Sequence, residues 1–453
     1  MSVWTAPTAP APIHALIPIP GSKSLTARAL VLAAIAAQPT VIRGGLESRD
    51  TALMCAALES LGARIEQMPD STWHVTPMSW PQAGSTIDCG LAGTVLRFIP
   101  PLAALANGVT RFVGDPQASK RPVAPLLEAL SQLDARITYL DTPGQLPFSV
   151  TGMGQQLDGQ SITVDASASS QFLTALLLAA PLSGGATVRA AGPVVSLPHI
   201  TMTARALEES GVPVTYEADH AWQVAGVRPT GGQVTIEPDL SNAGPLLAAA
   251  MVSGGTMRIP LWPLHTTQVG DQWRQILTEM GAHVHLDPDS TSAGTLLLQA
   301  SGLSGLRGIV RDMHDAGELV PTVAALAIVA GSPSRLTGIG HLRGHETDRL
   351  HAIVMEARKL GAVVEELPDG LSFRGLARPG DLSELHGAQL DAWADHRMAT
   401  FAAILGLAIP GISVSDIEAT SKTFPTFTTV WQQMLESSAC SDSFDQTVGG
   451  AGV

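Results

Sequence analysis

Basic, hydroxyl-bearing and acidic side chains gather in this sequence at the starts of predicted helices. They are Lys23, Ser24 and Arg28; Thr94 and Arg97; Arg121; Ser169, Ser170 and Gln171; Ser196; Glu318; Glu346 and Arg349; Asp395, His396 and Arg397; and Lys422. The first backbone N–H groups of a helix lack intrahelical partners, and the helix dipole favours negative charge there. Lysines and arginines at these starts therefore predict a strong trap for phosphate and carboxylate groups, provided that the starts face one cleft.

The helices that carry these residues recur along the chain. Six almost wholly apolar stretches follow one another at intervals of about 71 to 77 residues, beginning near Ser22, Gly93, Ser169, Ser241, Gly317 and Ala394. Six amphipathic stretches interleave with them, beginning near Glu47, Lys120, Ser196, Thr266, His345 and Ser421. Five of these end in a Gly or Asp followed by alternating small and β-branched residues, a pattern typical of a helix end that leads into a strand. The chain is therefore predicted to be a sixfold repeat of a two-helix α/β unit.

Length and composition bound the class of protein. A chain of 453 residues is too long for one ordinary core and suits two domains of about three repeats each. The net charge of −14 argues against nucleic acid as a partner, because nonspecific binding there needs a basic surface. The apolar stretches fall short of the roughly 18 to 20 residues of a membrane span, and the N-terminus lacks the features of a signal peptide. We therefore expect a cytoplasmic protein with no membrane partner.

The cysteines and the C-terminal segment allow predictions about disulfides, metal sites and disorder. Cys55, Cys89 and Cys440 are too few for a disulfide framework and form no CxxC pattern. No ligand cluster has the spacing of a metal site, so we expect neither a metal nor an organic cofactor. The Ser/Gly/Asp-rich segment 436–453 has the composition of a disordered tail.

The repeat count also predicts the domain boundaries. The sixth amphipathic stretch is not followed by the strand that its five siblings have. We assign that strand to the N-terminal segment 13–20, which would close the cycle by pairing with the C-terminal half. This predicts a central domain over 23–234 and a second domain made of 1–22 and 235–435. Two chain crossings would then act as a hinge, and the domains would close around a ligand.

Taken singly, the motifs have ordinary explanations. Lys120 and Arg121 fit an exposed basic loop, and Glu346 with Arg349 fits an ion pair at a helix start. Segment 20–28, PGSKSLTAR, lacks the GxxxxGK[ST] spacing of a nucleotide triphosphate loop.

Taken together and in order, the motifs resemble the enolpyruvyl transferases, and most closely the EPSP synthases among them. They are PGSKS, AGT with a following Arg, RP, SSQFLTALL, ETDRL, DHRMA and KTFP, and the match runs from about residue 13 to about residue 435. The resemblance implies two domains, each of three βαβαββ units, with the active site in the cleft between them. It also implies that the enolpyruvyl group of phosphoenolpyruvate passes to the 5-hydroxyl of shikimate 3-phosphate, with release of phosphate.

The resemblance assigns roles to the residues at matching positions. The catalytic candidates are Glu318, Glu346 and Lys23. The candidates for shikimate 3-phosphate are Lys23, Ser24, Arg28, Ser169, Ser170, Gln171, Ser196, Glu318, His341 and His345. The candidates for phosphoenolpyruvate are Lys23, Gly93, Thr94, Arg121, Gln171, Arg349, Arg397 and Lys422. Both substrates carry a phosphate and a carboxylate, which suit bidentate guanidinium pairing. We expect a monomer with these two small-molecule partners, and the division of acid and base roles stays open.

Five residues depart from the family's usual pattern. Glu318 stands where many relatives have Asp. His345 replaces a usual Lys, so a contact to phosphoshikimate becomes sensitive to pH near neutrality. Leu91 and Phe98 replace an Asn and a Pro, and they bear on the fit of a phosphoenolpyruvate mimic such as glyphosate. His199 replaces a Tyr that usually stacks on the substrate.

Two other functions stay open from the sequence. The enolpyruvyl transferase that acts on UDP-N-acetylglucosamine has a loop cysteine that would fall in 114–122, where none of the three cysteines lies. A non-catalytic binding paralogue would be expected to have lost Lys23, Glu346 or an anion-binding arginine, and all of these are present.

Overall fold

The chain folds into two compact units. The structure is a computed structural model that describes residues 3–154, 159–217 and 220–439. The central unit comprises Pro20–Pro238, and the terminal unit comprises Met1–Ile19 together with Asp239–Val453. The chain therefore passes from one unit to the other twice, after Ile19 and after Pro238.

The described residues form twelve α-helices and twenty-three β-strands. The helices are α1 (Lys23–Ala34), α2 (Arg49–Ser60), α3 (Gly93–Leu105), α4 (Ala124–Ser131), α5 (Gln171–Ala179), α6 (Leu197–Glu209), α7 (Leu240–Ser253), α8 (Trp273–Glu279), α9 (Val320–Ile328), α10 (Arg349–Lys359), α11 (His396–Ala408) and α12 (Phe427–Ala439). The strands are β1 (Val3–Thr5), β2 (Ile13–Leu16), β3 (Thr40–Arg43), β4 (Arg64–Gln67), β5 (Trp73–Thr76), β6 (Thr86–Asp88), β7 (Asn107–Val113), β8 (Arg136–Tyr139), β9 (Phe148–Met153), β10 (Gln160–Val164), β11 (Gly185–Ala190), β12 (Val214–Glu217), β13 (Ala221–Ala225), β14 (Gly232–Thr235), β15 (Gly255–Pro263), β16 (His283–Pro288), β17 (Ala293–Ala300), β18 (Val310–Asp312), β19 (Ser334–Thr337), β20 (Val364–Leu367), β21 (Gly370–Phe373), β22 (Gln389–Asp391) and β23 (Ser413–Ser415).

The sheets follow the predicted repeat. The central unit has three four-stranded sheets with the orders β14-β3-β5-β4, β6-β7-β9-β8 and β10-β11-β13-β12. In each, the first pair is parallel and the other pairs are antiparallel. The terminal unit has the sheets β2-β15-β17-β16 and β18-β19-β21-β20 and the three-stranded sheet β1-β23-β22. The prediction of six α/β repeats is confirmed, with a smaller sheet in the sixth.

Two strands lie just before the points where the chain passes from one unit to the other. Each of them pairs within its own unit, although the helix that follows it belongs to the other unit. Strand β2 precedes α1 but pairs in parallel with β15, with Ile13 opposite Gly255. Strand β14 precedes α7 but pairs in parallel with β3, with Gly232 opposite Thr40. In the sixth sheet β1 pairs antiparallel with β23, as β5 does with β3, and no described strand lies beside β1 as β4 lies beside β5. Segment 13–20 pairs with the C-terminal half, as predicted, but its partner is β15 of the fourth repeat, so its assignment to the sixth repeat was wrong.

Local sequence signals explain where the helices begin and end. Ser22, Ser48, Asp239, Asp348 and Asp395 each accept a backbone hydrogen bond as an N-cap. The residues just past five amphipathic helices have φ between 59° and 110°, the left-handed conformation that reverses the chain into the following strand; they are Gly62, Asp134, Gly211, Gly281 and Gly361. This confirms the predicted helix ends.

The first series of helices forms the core of each unit, as predicted. Every residue of α3 is buried, and so is every residue of α7 except the last. Among the described residues, no helix combines the length and the apolar character that a membrane crossing requires. At the C-terminus, α12 continues to Ala439, so the predicted disordered tail is wrong for residues 436–439. Hydrogen bonds from Gln432 to Glu436 and from Ser437 to the Met434 carbonyl support this last turn. Residues 440–453 lie outside the described chain.

Candidate functional site

In the central unit, the start of α3 holds the guanidinium group of Arg121. Ala92 precedes the helix in an extended conformation, and no side chain caps the first N–H groups. Arg121 donates from Nη1 to the carbonyl oxygen of Leu91 at 3.2 Å. A Cβ atom on Gly93 would lie 2.7 Å from the same nitrogen. Glycine at this position therefore lets the guanidinium lie directly against the helix start.

A second guanidinium, that of Arg97, lies one turn along the same helix and is only 3% exposed. It donates to the carbonyl oxygens of Gly93 at 3.3 Å and of Pro122 at 2.8 Å. Burial and the nearby charge of Arg121 lower the pKa of Arg97 well below its ordinary value. The Nε atoms of both arginines are buried and have no hydrogen-bond partner within the described chain. An anion at this helix start would relieve both the charge repulsion and the unpaired donors.

The start of α5 presents hydroxyl and amide groups. Ser169 accepts a hydrogen bond from the backbone N–H of Gln171 at 3.3 Å. Ser170 is buried, and its side chain makes no capping hydrogen bond. The Oε1 atom of Gln171 is buried and has no donor among the described residues. This group of residues is therefore suited to a ligand that carries hydroxyl groups.

The guanidinium group of Arg28 makes hydrogen bonds within the protein. Its three nitrogens donate to Thr203 Oγ1 at 2.9 Å, to the Ser24 carbonyl at 2.9 Å and to the His199 carbonyl at 3.0 Å. Its guanidinium carbon lies 5.7 Å from the ring centre of Phe98. These contacts connect α1 with α6, and they also hold the guanidinium against the backbone of Ser24. Direct contact between Arg28 and a substrate stays a prediction.

Lys23 and Ser196 also stand at helix starts in this unit. Lys23 is the first residue of α1, and its Nζ lies 3.6 Å from Oδ2 of Asp50. Ser196 precedes α6 in a left-handed conformation with φ of 53°, and its hydroxyl makes no capping hydrogen bond. A non-glycine residue held in this conformation is typical of functional turns. Thr94 is the second residue of α3 and is buried.

In the terminal unit, Glu318 and Arg397 form an ion pair. Glu318 lies in a 3-10 turn, His314–Leu319, that leads into α9. Arg397 donates from Nη2 to Glu318 Oε2 at 3.1 Å and from Nη1 to the Glu318 carbonyl at 2.7 Å. The other carboxylate oxygen, Oε1, accepts from the hydroxyl of Ser241 at 2.8 Å. Both carboxylate oxygens are therefore fixed in direction.

Glu346 joins the last two motifs of the sequence. Its Oε1 accepts from Lys422 Nζ at 2.7 Å, and its Oε2 lies 3.3 Å from Nδ1 of His396. Burial lowers the pKa of His396 to about 4, although Glu346 and Asp395 oppose this shift. The imidazole is therefore neutral at physiological pH, and its Nε2 is buried without a partner among the described residues. Glu346 thus lies between a cation and a neutral imidazole.

A buried ion pair lies beside Glu346. Arg349 donates from Nε to Asp395 Oδ2 at 2.7 Å and from Nη2 to Oδ1 at 3.3 Å. Burial opposes both charges, but the opposite charge of each partner prevails: the pKa of Arg349 is raised and that of Asp395 is lowered. Arg349 also donates from Nη1 to Nδ1 of His345 at 3.4 Å, a contact that only a neutral imidazole can accept.

His341 lies in a neighbouring 3-10 turn, Gly340–Gly344. Burial and the nearby His314 lower its pKa. Its Nε2 is buried and has no partner among the described residues. A Cβ atom on Gly317 would lie 2.8 Å from this nitrogen, which places His341 against the backbone next to Glu318. The ring centres of His341 and His345 are 5.8 Å apart.

The structure thus brings some of the predicted residues into contact within each unit. In the central unit, Gly93 and Arg121 meet, and Arg28 lies against Ser24. In the terminal unit, Glu318 meets Arg397, Glu346 meets Lys422, and His345 meets Arg349. Glu346, Asp395 and His396 bring ligand-type atoms within 4.8 Å of one another. The carboxylates of this trio already pair with Arg349 and Lys422, so the group is an ion-pair network.

Some members of these groups had no predicted role. Asp395 and His396 stood out only by their place before the sixth apolar helix, and Ser241 only as a helix start. Asp50 and Asn242 carried no signal, and Thr423 appeared only as a member of the KTFP motif; Asn242 donates to the Thr423 carbonyl at 2.9 Å. The Asp-His-Arg triplet at 395–397 was a usable signal, since three polar residues directly before a buried helix must find partners.

Known proteins with the same pattern identify the family. The family described as EPSP synthase (3-phosphoshikimate 1-carboxyvinyltransferase) matches residues 7–431. Proteins named 3-phosphoshikimate 1-carboxyvinyltransferase from Kocuria rhizophila and Bifidobacterium longum are 47% and 44% identical to this chain. Both alignments cover 96% of this chain, and they cover 97% and 98% of the two relatives.

Solved structures agree with this assignment. The EPSP synthase of Acinetobacter baumannii matches with a TM-score of 0.78 and 25% identity, over 96% of this chain and 97% of that one. The enolpyruvyl transferase NikO of Streptomyces tendae shares the fold, with a TM-score of 0.72 and 18% identity over 94% of this chain and 96% of that one. With a family match over nearly its whole length and relatives of this identity, the chain belongs to the EPSP synthase family.

Proposed function

We propose that this chain transfers the enolpyruvyl group of phosphoenolpyruvate to the 5-hydroxyl of shikimate 3-phosphate, giving 5-enolpyruvylshikimate 3-phosphate and phosphate. The observation that carries the proposal is the position of Glu346 between Lys422 at 2.7 Å and His396 at 3.3 Å. A carboxylate between a cation and a neutral imidazole is suited to proton transfer. Family membership supplies the substrates.

The anion-binding half of the reaction is assigned to the start of α3. Arg121, together with the first backbone N–H groups of α3 at Gly93 and Thr94, binds a phosphate or carboxylate group of phosphoenolpyruvate. Two observations support this: the unpaired donors of Arg97 and Arg121, and a helix start without a side-chain cap. Charge-assisted hydrogen bonds to such groups contribute roughly 1.5–3 kcal/mol each.

Hydroxyl recognition is assigned to the start of α5 and its neighbours. Ser169, Ser170 and Gln171 bind shikimate 3-phosphate, with Ser24, Lys23 and Ser196 contributing further contacts. The buried and unpaired Oε1 of Gln171 supports this role, because it would accept a hydrogen bond from a substrate hydroxyl. His341 and His345 in the terminal unit are proposed as further contacts to the same substrate.

Proton transfer is assigned to the terminal unit. The 5-oxygen of shikimate 3-phosphate forms a bond to C2 of phosphoenolpyruvate while its proton leaves and another proton reaches C3. Elimination then breaks the bond between C2 and the phosphate oxygen, and a proton leaves C3. Two carboxylates held by cations, Glu318 and Glu346, are suited to these transfers, with Lys23 as a third candidate. Arg349, Arg397 and Lys422 hold the phosphoenolpyruvate part once the substrate competes for them.

Transfer to UDP-N-acetylglucosamine is the alternative acceptor reaction, and it is not favoured. The relatives of highest identity reported above carry the phosphoshikimate name. Neither Cys55 nor Cys89 belongs to the loop 114–122, and burial raises the pKa of both thiols to about 12. Such thiols are poor nucleophiles at neutral pH.

The proposal includes a monomer that works in the cytoplasm. The two free and inert thiols Cys55 and Cys89 suit a reducing compartment. Sedimentation at working concentration should give a mass near 47.0 kDa, and a dimer mass would refute the monomer. Cell fractionation that finds the protein outside the cytoplasm would refute the location.

The decisive experiment measures phosphate release from phosphoenolpyruvate with shikimate 3-phosphate or UDP-N-acetylglucosamine as acceptor. We expect release with shikimate 3-phosphate alone, and loss of most of it in Glu346→Gln. Glu365→Gln is the matched control, because Glu365 is an exposed residue of β20. Release with neither acceptor would favour a non-catalytic binding protein.

A further inference from the structure

The first turn of α7 contacts the carboxylate of Glu318 and the residue that follows Lys422. We infer that Ser241 and Asn242 are positioning residues: Ser241 holds the Glu318 carboxylate, and Asn242 holds the segment that carries Lys422. The inference rests on the proposed function, because it concerns how these two groups are aimed in that reaction.

Ser241 fixes the half of the Glu318 carboxylate that Arg397 does not hold. Its Oγ donates to Oε1 at 2.8 Å, whereas Arg397 donates to Oε2 at 3.1 Å. Ser241 is buried, and the carboxylate is about one-fifth exposed, at 21%. A single donor would leave the carboxylate free to rotate about its last bond. Two donors from different elements, α7 and α11, set its plane and direction.

Asn242 performs the corresponding task for Lys422. Its Nδ2 donates to the backbone carbonyl of Thr423 at 2.9 Å, and its Oδ1 accepts from the Thr423 hydroxyl at 3.2 Å. Asn242 and Thr423 are both buried. Lys422 is the residue directly before Thr423, and its Nζ reaches Glu346 at 2.7 Å. The two-point contact therefore fixes the backbone from which Lys422 extends.

The start of α7 is itself rigid enough to act as a support. Asp239 Oδ1 accepts from the backbone N–H groups of Ser241 at 3.1 Å and Asn242 at 3.3 Å. The carbonyl of Leu240 accepts from the indole of Trp273 at 3.0 Å. A Cβ atom on Gly270 would lie 2.4 Å from the backbone of Leu240, so the 3-10 turn Val269–Gln272 packs closely against the same turn. One buried turn of the fourth repeat thus orients groups of the fifth and sixth repeats.

The inference predicts different kinetic signatures for the two residues. Ser241→Ala should lower kcat roughly 10- to 100-fold, the effect of one hydrogen bond to a charged group, with the KM for shikimate 3-phosphate nearly unchanged. The acid limb of its pH profile should move to higher pH, because a carboxylate that loses a donor is protonated more readily. Ser241→Thr, which keeps the hydroxyl, should retain most of the activity.

Asn242→Ala should disturb the position of Lys422 and leave the orientation of the Glu318 carboxylate unchanged. We expect kcat/KM for phosphoenolpyruvate to fall roughly tenfold, as for loss of one or two neutral hydrogen bonds, with the acid limb in its wild-type position. The matched control is Ser253→Ala at the other end of α7, where the hydroxyl contacts only local backbone carbonyls. This control should behave as wild type in every kinetic measurement.

The test is a set of pH-dependent kinetics for wild type and these four variants, with thermal melts. Should Ser241→Ala fail to fold, Ser241→Cys, which has a similar size and a weak donor, carries the same prediction. A kcat within twofold of wild type and an unmoved acid limb in the folded Ser241 variant would overturn the inference. Equal losses in Ser253→Ala would also overturn it, because they would indicate general destabilisation. An inactive wild type would instead count against the proposed function.

Discussion

The start of α3 in the central unit and the candidate site of the terminal unit differ in whether their cations have carboxylate partners. At the start of α3 in the central unit, Arg97 and Arg121 are near neighbours, and neither forms an ion pair with a carboxylate of the described chain. In the terminal unit, every cation of the candidate site has a carboxylate: Arg349 has Asp395, Arg397 has Glu318, and Lys422 has Glu346. The two arginines at the start of α3 thus lack a carboxylate partner, whereas the terminal group already contains three carboxylates. Lys23 of the central unit is unlike these arginines, because its Nζ lies 3.6 Å from Asp50.

This difference indicates that one group binds substrate and the other transfers protons. Like charges beside an uncapped helix start are stabilised when an anion binds, so the central group is suited to bind substrate. Carboxylates held by cations are fixed in direction and in charge, so the terminal group is suited to proton transfer. Changes at Arg121 should therefore appear mainly in KM, and changes at the carboxylates Glu318 and Glu346 mainly in kcat and in pH dependence.

The largest expected effect is in the central unit. Arg121→Gln should lower kcat/KM for phosphoenolpyruvate by roughly 10²- to 10⁴-fold, because two charge-assisted hydrogen bonds contribute roughly 3–6 kcal/mol. Steady-state kinetics check this, with Arg111→Gln on the exposed side of β7 as control. A loss confined to kcat, with KM unchanged, would remove the distinction between the units.

The next effect concerns stability in the terminal unit. Asp395→Asn leaves the Arg349 guanidinium buried beside a neutral partner, which should cost about 3–5 kcal/mol of unfolding free energy. Urea unfolding measures this value, with Asp381→Asn in an exposed loop as control. Equal stability of Asp395→Asn and wild type would mean that the pair contributes nothing to the fold.

The third prediction is a pH dependence that originates at His396. Its pKa is about 4 in the folded chain and ordinarily about 6.5. The unfolded chain therefore binds the proton more readily between these values, and folding stability should fall by about 3 kcal/mol as the pH drops from 6.5 to 4. The loss should be absent above about pH 7.5, where His396 is neutral in both states.

His396→Gln cannot take up this proton. Its unfolding free energy should therefore lose correspondingly less between pH 6.5 and 4 than that of wild type. His386→Gln, at an exposed position, serves as the control and should keep the wild-type slope. Parallel slopes for His396→Gln and wild type would show that another group is responsible.

The smallest effect is a steric one at the start of α3. In Gly93→Ala the new methyl group would lie 2.7 Å from Nη1 of Arg121, so the guanidinium must move. We expect KM for phosphoenolpyruvate to rise about tenfold, equivalent to about 1.4 kcal/mol, with kcat less affected. An unchanged KM would mean that Arg121 does not bind substrate from this position.

Local signals account for what the sequence predicted well. Capping residues such as Ser22 and Asp395, and the turn-forming Gly62 and Asp134, act within a few positions of the chain. The buried helices could be predicted because a stretch such as α5 is apolar on all sides. The residues at their starts followed from the same pattern, together with the family resemblance.

Long-range pairing accounts for what the sequence did not predict. Arg349 and Asp395 are 46 positions apart, and Glu318 and Arg397 are 79 apart, so no local rule matches one charge with its partner. The strand β1 completes the sixth repeat because of a pairing across nearly the whole chain. The family resemblance assigned Arg28 to the substrate, and no local signal predicted that two of its nitrogens donate to Thr203 and His199 of α6, about 170 residues later.

The most direct test of the difference between the units is a rapid-quench measurement of single turnovers with saturating shikimate 3-phosphate. The rate and the phosphoenolpyruvate concentration at half-maximal rate are compared for wild type, Arg121→Gln and Glu346→Gln. We expect Arg121→Gln to raise the half-maximal concentration at least tenfold more than Glu346→Gln does, and Glu346→Gln to lose most of the maximal rate. The same loss of rate and the same half-maximal concentration in both variants would contradict this expectation.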